Sequence, residues 1–90
     1  MEYEWWATKA ESNLGKLGVE FLDAVIVFDH DRAITLADEH PGEERVFDLR
    51  HGRARRVLAI SYALRGSIIR IISTRKATAR ERAEYEDKRI

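Results

Sequence analysis

Apolar and polar positions change their period several times along this chain, and each change predicts an element. Phe21, Ala24, Val25 and Phe28 recur at i, i+3, i+4 and i+7, which lays one apolar stripe along a helix over residues 20–28. Before it, residues 3–6 (Tyr-Glu-Trp-Trp) read as a short strand. Thr8-Lys9-Ala10-Glu11 has the form of a capping box opening a short helix that Gly15 or Gly18 would stop. Beyond Phe28 the pattern turns to strands over 33–37, 44–50, 56–64 and 67–75. Turns are expected at Asp38-Glu39-His40-Pro41-Gly42 and around His51-Gly52-Arg53, with a tight hairpin at Arg65-Gly66. The near-continuous apolar runs Val57–Ile60 and Ile68–Ile72 suit central strands covered on at least one face. A second capping box, Thr78-Ala79-Arg80-Glu81, opens a polar helix to about Lys88. The order predicts an α+β fold. It has a four- to five-stranded antiparallel sheet, two N-terminal helices and a C-terminal helix, with the helices on one face.

Ninety residues allow one small core, so residues 1–90 are read as a single domain. Cysteine is absent, which excludes disulfides, thiolate nucleophiles and cysteine-ligated zinc. No apolar run is long enough to span a bilayer, and the acidic start lacks a signal peptide's pattern, so the expected location is cytoplasmic.

Charge changes the picture most. Charged residues make up 36% of the chain, yet the formal net charge is zero. Residues 1–44 hold three basic and eleven acidic side chains, whereas residues 45–90 hold thirteen basic and five acidic ones. Such a division predicts one face able to meet phosphates; the alternative is that each arginine finds a local carboxylate on folding.

Candidate chemistry is narrow. His30, His40 and His51 fall in three separate turns without metal-ligand spacing, and no nucleophile elbow, phosphate loop or dinucleotide fingerprint is present. No cofactor or metal is therefore expected. The cationic set remains, and its arginines suit bidentate phosphate contacts better than lysines would. Arg75 and Lys76 precede a helix start at Thr78, whose free amides would seat an anion. Strand parity puts Ile69, Ile71, Ser73 and Arg75 on one face and Arg70, Ile72 and Thr74 on the other. Arg70, among four isoleucines, needs a partner for its head, either a phosphate or an acid such as Glu43 or Glu44. Of Trp5 and Trp6, neighbours pointing opposite ways, one is expected in the core and the other half-exposed, where an indole can stack on a base.

These residues resemble the BrnT toxin family. The resemblance is carried by Tyr3-Glu4-Trp5, Lys9, Asn13, Lys16, Gly18-Val19, Phe21 and Val27-Phe28. Later come Glu43-Glu44-Arg45, the block Ile69-Arg70-Ile71-Ile72-Ser73-Thr74-Arg75-Lys76-Ala77-Thr78, and Glu81-Arg82-Ala83-Glu84-Tyr85. It implies a RelE-like fold and a ribonuclease toxin that blocks translation and growth by cutting RNA. It also implies a BrnA-like antitoxin with a ribbon-helix-helix domain. Two positions depart from the pattern: Trp6 stands where the family reads aspartate, and Leu17 where it reads histidine between Lys16 and Gly18.

Metal-free RNA cleavage needs an aligned 2′-hydroxyl, charge stabilisation and proton transfer at both oxygens. The expected catalytic set is Arg45, Arg70 and Arg75 on the phosphate, Lys16 (or Lys76) at the leaving oxygen, and Glu44 or Tyr85 as base. Arg53, Arg55, Lys76 and Arg80 are expected to bind RNA. The competing reading is a non-catalytic domain whose basic face docks an antitoxin.

Overall fold

The computed structural model describes residues 2–28, 33–38, 45–51 and 56–88. Strand β1 (Glu2–Glu4) leads into helix α1 (Ala7–Leu17) and helix α2 (Phe21–Val27). Strands β2 (Ala33–Asp38), β3 (Arg45–His51), β4 (Val57–Arg65) and β5 (Ile68–Lys76) follow, and helix α3 (Ala79–Lys88) closes the order. The five strands form one sheet in the order β1-β5-β4-β3-β2. β2 to β5 make the expected antiparallel meander, while β1 lies parallel beside β5, pairing Glu2 with Ile68 through Glu4 with Arg70. The sheet is therefore mixed: the α1–α2 segment leads to β2 at the far edge, antiparallel to β1, and the meander brings β5 back beside β1 in the same direction. No helix among the described residues is long and apolar enough to cross a membrane.

The helices lie on both faces, not on one as the sequence suggested. Alternation along β4 shows why. Leu58, Ile60 and Tyr62 pack with Ile69 and Ile71 against Val19, Phe21, Ala24 and Val27 of the α1–α2 side. Val57 and Ala59 point the other way and cluster with Leu49 and with Tyr85 of α3. Both faces of β4 are buried, which accounts for its unbroken apolar run.

Helix termini divide into one local prediction that forms and one that does not. At α3, the Thr78 Oγ1 accepts from the Glu81 amide at 3.1 Å while Glu81 Oε1 accepts from the Thr78 amide at 2.9 Å, a complete capping box. At α1 the matching Thr8 pattern is unused. The helix begins two residues earlier, with Trp6 at the N-cap and no side-chain cap, because the chain turns into it directly from β1. Gly15 lies within the helix, and Gly18 ends it at φ 72°, its amide donating to Leu14 O at 2.9 Å. The β4–β5 loop is Gly66-Ser67, with Gly66 at φ 63° as a two-residue hairpin requires.

Candidate functional site

A bulge in β5 rearranges the expected arginine geometry. Ser61 pairs with Ser73 but Tyr62 pairs with Ile71, so Ile72 is the extra residue. Simple alternation would separate Arg70 from Arg75. Past the bulge the faces exchange: Thr74 joins Ile69 and Ile71 on the α1–α2 side, and Arg75 joins Arg70 on the α3 side. Arg45 shares that face, since Arg45 and Arg70 both pair with Ala63, while Arg75 pairs with Ala59 of the α3-side cluster.

Two of those three arginines line a cleft. Arg45 and Arg70 meet Trp6, Lys9, Ile71 and Ile72 around a volume of about 170 Å³. A second cleft of about 360 Å³ adjoins it through Lys9 and Ile72, and is lined further by Ser12, Asn13, Lys16, Leu17 and Ser73. Together they make a groove along the edge of β5 beyond the last β1 pairing. Lys9, Lys16, Arg45 and Arg70 stand along it, and no carboxylate among the described residues lines it. Trp6, 56% exposed, lies between two of these cations: the Arg70 guanidinium is 5.1 Å and the Lys9 ammonium 5.4 Å from its ring. Trp5 is half-buried and packs against the core edge-on to Phe21 at 6.0 Å, so the two tryptophans point apart as expected, although neither is fully in the core.

Arg75 is used differently. Its guanidinium makes a fork with Glu81, Nη1 to Oε1 at 2.7 Å and Nη2 to Oε2 at 3.0 Å, and lies 5.8 Å from the Phe47 ring. These bonds, with the Thr78 amide assisting and partial burial opposing, hold the Glu81 carboxyl down at about 2; in return Glu81 pushes the Arg75 pKa up. The expected anion seat at the start of α3 is thus filled by the protein's own carboxylate.

The remaining expectations divide as follows. Tyr85, read as a base, is 2% exposed; its ring packs with Leu49, Val57 and Ala59 under α3 and does not line the groove. Lys76 and Arg80 are exposed, at the end of β5 and the start of α3, and neither lines the groove. Glu44, Arg53 and Arg55 lie outside the described residues, as do Glu43, His30 and His40. Local pairing does account for part of the basic excess: Arg50 with Asp48 at 2.8 Å, Arg56 with Asp23 at 3.3 Å and Arg65 with Glu4 at 3.8 Å.

Two features escaped the sequence reading. Lys9 belongs to the Thr8 capping-box pattern and to the resemblance but not to the expected site, although its place one helical turn after Trp6 is a usable signal for a shared surface. Asp48 was not singled out at all. It is fully buried and accepts from Tyr62 Oη and Thr35 Oγ1, each at 2.9 Å, besides Arg50 Nε. An acid inside the run Val46-Phe47-Asp48-Leu49 was its signal.

The comparisons agree with this architecture. Among curated proteins none matches the sequence. The crystal structure of the Brucella abortus ribonuclease toxin BrnT is similar in fold, with a TM-score of 0.72 at 22% identity, over 87% of this chain and 97% of that one. The fold is α+β and of the RelE-like kind expected. The family model described as "Ribonuclease toxin, BrnT, of type II toxin-antitoxin system" matches residues 5–81. This chain belongs to that BrnT family of ribonuclease toxins.

Proposed function

We propose that this chain is a metal-independent endoribonuclease that arrests translation and growth. Residues 1–90 would act as one toxin domain, and the groove at the β5 edge would be where RNA is held and cut. The observation that carries this reading is the meeting of Arg45 and Arg70, from strands on either side of β4, with Lys9 in a cleft lined by no described carboxylate. In the proposed reaction the RNA 2′-oxygen attacks the adjacent phosphorus and loses its proton to a base. The bond from phosphorus to the 5′-oxygen breaks, that oxygen takes up a proton, and a 2′,3′-cyclic phosphate remains. Arg45 and Arg70 neutralise the pentavalent phosphorane, and removal of one such donor costs roughly 10²–10³ in kcat. Lys16, in the adjoining cleft, supplies the proton to the leaving oxygen, and Glu44 is the proposed base. Arg75 contributes by fixing α3 through Glu81. Lys76 and Arg80 extend the phosphate-binding surface beyond the groove, and Arg53 and Arg55 are proposed as further RNA-binding residues.

The partner is a BrnA-like ribbon-helix-helix antitoxin whose acidic segment covers the same groove. Cleavage of a single-stranded RNA by purified protein in the presence of a chelator tests the catalytic reading. Arg70→Ala is expected to lose cleavage by at least about a hundredfold; full activity in that variant would refute the assignment.

A second reading rests on Leu17, which is exposed in the groove where the resembled pattern has histidine. On that reading the chain docks an antitoxin through its basic face and does not cut RNA. Leu17→His separates the two: it would create cleavage in an otherwise inert protein, or modestly raise an activity already present.

A further inference from the structure

We propose that Trp6 is a base-stacking residue that positions the nucleotide beside the scissile phosphate, a role that rests on the RNA reading of the groove. Trp6 is the N-cap residue of α1 but gives that helix no side-chain cap, and its ring is 56% exposed while Trp5 beside it takes the packing role against Phe21. Neither helix initiation nor core packing therefore requires an indole here. What surrounds the ring is cationic: Lys9 at 5.4 Å, Arg70 at 5.1 Å, and Arg45 across the cleft that all four line.

A flat, electron-rich ring bordered by phosphate-binding cations is the pairing that single-stranded RNA recognition uses, since every base presents a π-face and every nucleotide a phosphate. The two cations also hold the ring in place before a ligand arrives. Arg70 stands on a β-strand next to the bulge, whereas the Lys9 ammonium sits on a flexible stem. Lys9 is the group that yields its place to a base and turns to a phosphate. Arg70 would then bind the phosphate from beside the stacked base, which links base position to the reacting centre.

The test measures binding of two short single-stranded probes. One is a 2′-O-methyl oligoribonucleotide, which cannot be cut, and the other an abasic chain of equal length. Trp6→Ala is expected to weaken the base-bearing probe roughly five- to 150-fold, with little change for the abasic one, and Trp6→Phe to recover most of the loss. In a Trp5→Phe background, the remaining indole fluorescence is expected to be quenched by the base-bearing probe only. Equal losses on both probes, or no loss on either, would overturn the role of Trp6, even with Arg70→Ala weakening both. If Arg70→Ala weakens neither, the groove is not the phosphate seat, and this proposal fails with that reading.

Discussion

The side-chain amide of Asn13 pairs with the backbone of Thr74 as a neighbouring strand would: Nδ2 donates to Thr74 O at 2.8 Å and Oδ1 accepts from the Thr74 amide at 3.1 Å. β1 pairs with β5 only as far as Arg70, so the backbone beyond it would otherwise be an open edge. Nδ2 also donates to Val19 O at 2.8 Å, fixing the end of α1 to the chain that follows. One buried side chain thereby sets where Lys9 and Lys16 stand relative to the bulge. Asn13→Leu leaves three backbone groups without partners. It is expected to cost about 3 kcal/mol, seen as a Tm lower by roughly 12–24 °C. A loss below about 1 kcal/mol would mean that water replaces the amide readily.

Acid should loosen α3 through one carboxyl. Glu81 titrates at about 2 in the folded chain against an ordinary value of 4.5, so its stabilising contribution is complete above pH 4.5 and is lost as pH falls towards 2. Because the pair is partly solvated, the contribution is about 1 kcal/mol and not the full equivalent of the shift. Urea midpoints at pH 7, 4.5 and 3 are expected to show this slope in the native chain and a shallower one in both Glu81→Gln and Arg75→Ala. An unchanged slope in Glu81→Gln would remove the fork from the account.

The alkaline side reports the buried acid. Burial first, then the charge and hydrogen bond of Asp48, push the Tyr62 hydroxyl up to about 12, with Arg50 opposing. A phenol raised in this way stabilises the fold fully below pH 10 and loses that contribution as pH climbs from 10 to 12. Spectrophotometric titration should show a late tyrosine that Tyr62→Phe removes. Asp48→Ala removes the buried acceptor shared by Arg50, Tyr62 and Thr35 and is expected to cost roughly 3–5 kcal/mol in denaturant unfolding.

What the sequence disclosed was mostly local. The Thr78–Glu81 box needs only four consecutive residues, and it formed. The Phe21, Ala24 and Phe28 stripe packs as read. Failures came where tertiary context decided. Thr8 has the same local pattern as Thr78, but β1 delivers the chain into α1 before Thr8 can cap it. Parity along β5 is a two-residue rule, and a single extra residue at Ile72 reverses it, which sequence alternation cannot reveal within a run of isoleucines. For that reason alternation alone sets Arg70 and Arg75 on opposite faces where the folded strand puts them on one, and it gives no sign of the diversion of Arg75 to Glu81.

That diversion has a measurable electrostatic consequence. RNA affinity falls with salt in proportion to the phosphates a protein neutralises, with a log–log slope of about −0.7 per contact for single strands. If Lys9, Lys16, Arg45 and Arg70 all engage phosphates, the native slope for a short uncut oligoribonucleotide should be roughly −3. Arg70→Ala removes one contact and should make the slope shallower by about 0.7. Arg75→Ala removes an equal formal charge, but one already neutralised by the Glu81 fork, so its slope should match that of the native chain. Measuring both variants at one salt concentration would confuse lost contacts with lost stability; the slope separates them, because unfolding a fraction of the protein lowers affinity without changing how many ions are released. A shallower slope in Arg75→Ala would show that Arg75 leaves Glu81 when RNA binds, returning it to the set of phosphate-holding arginines.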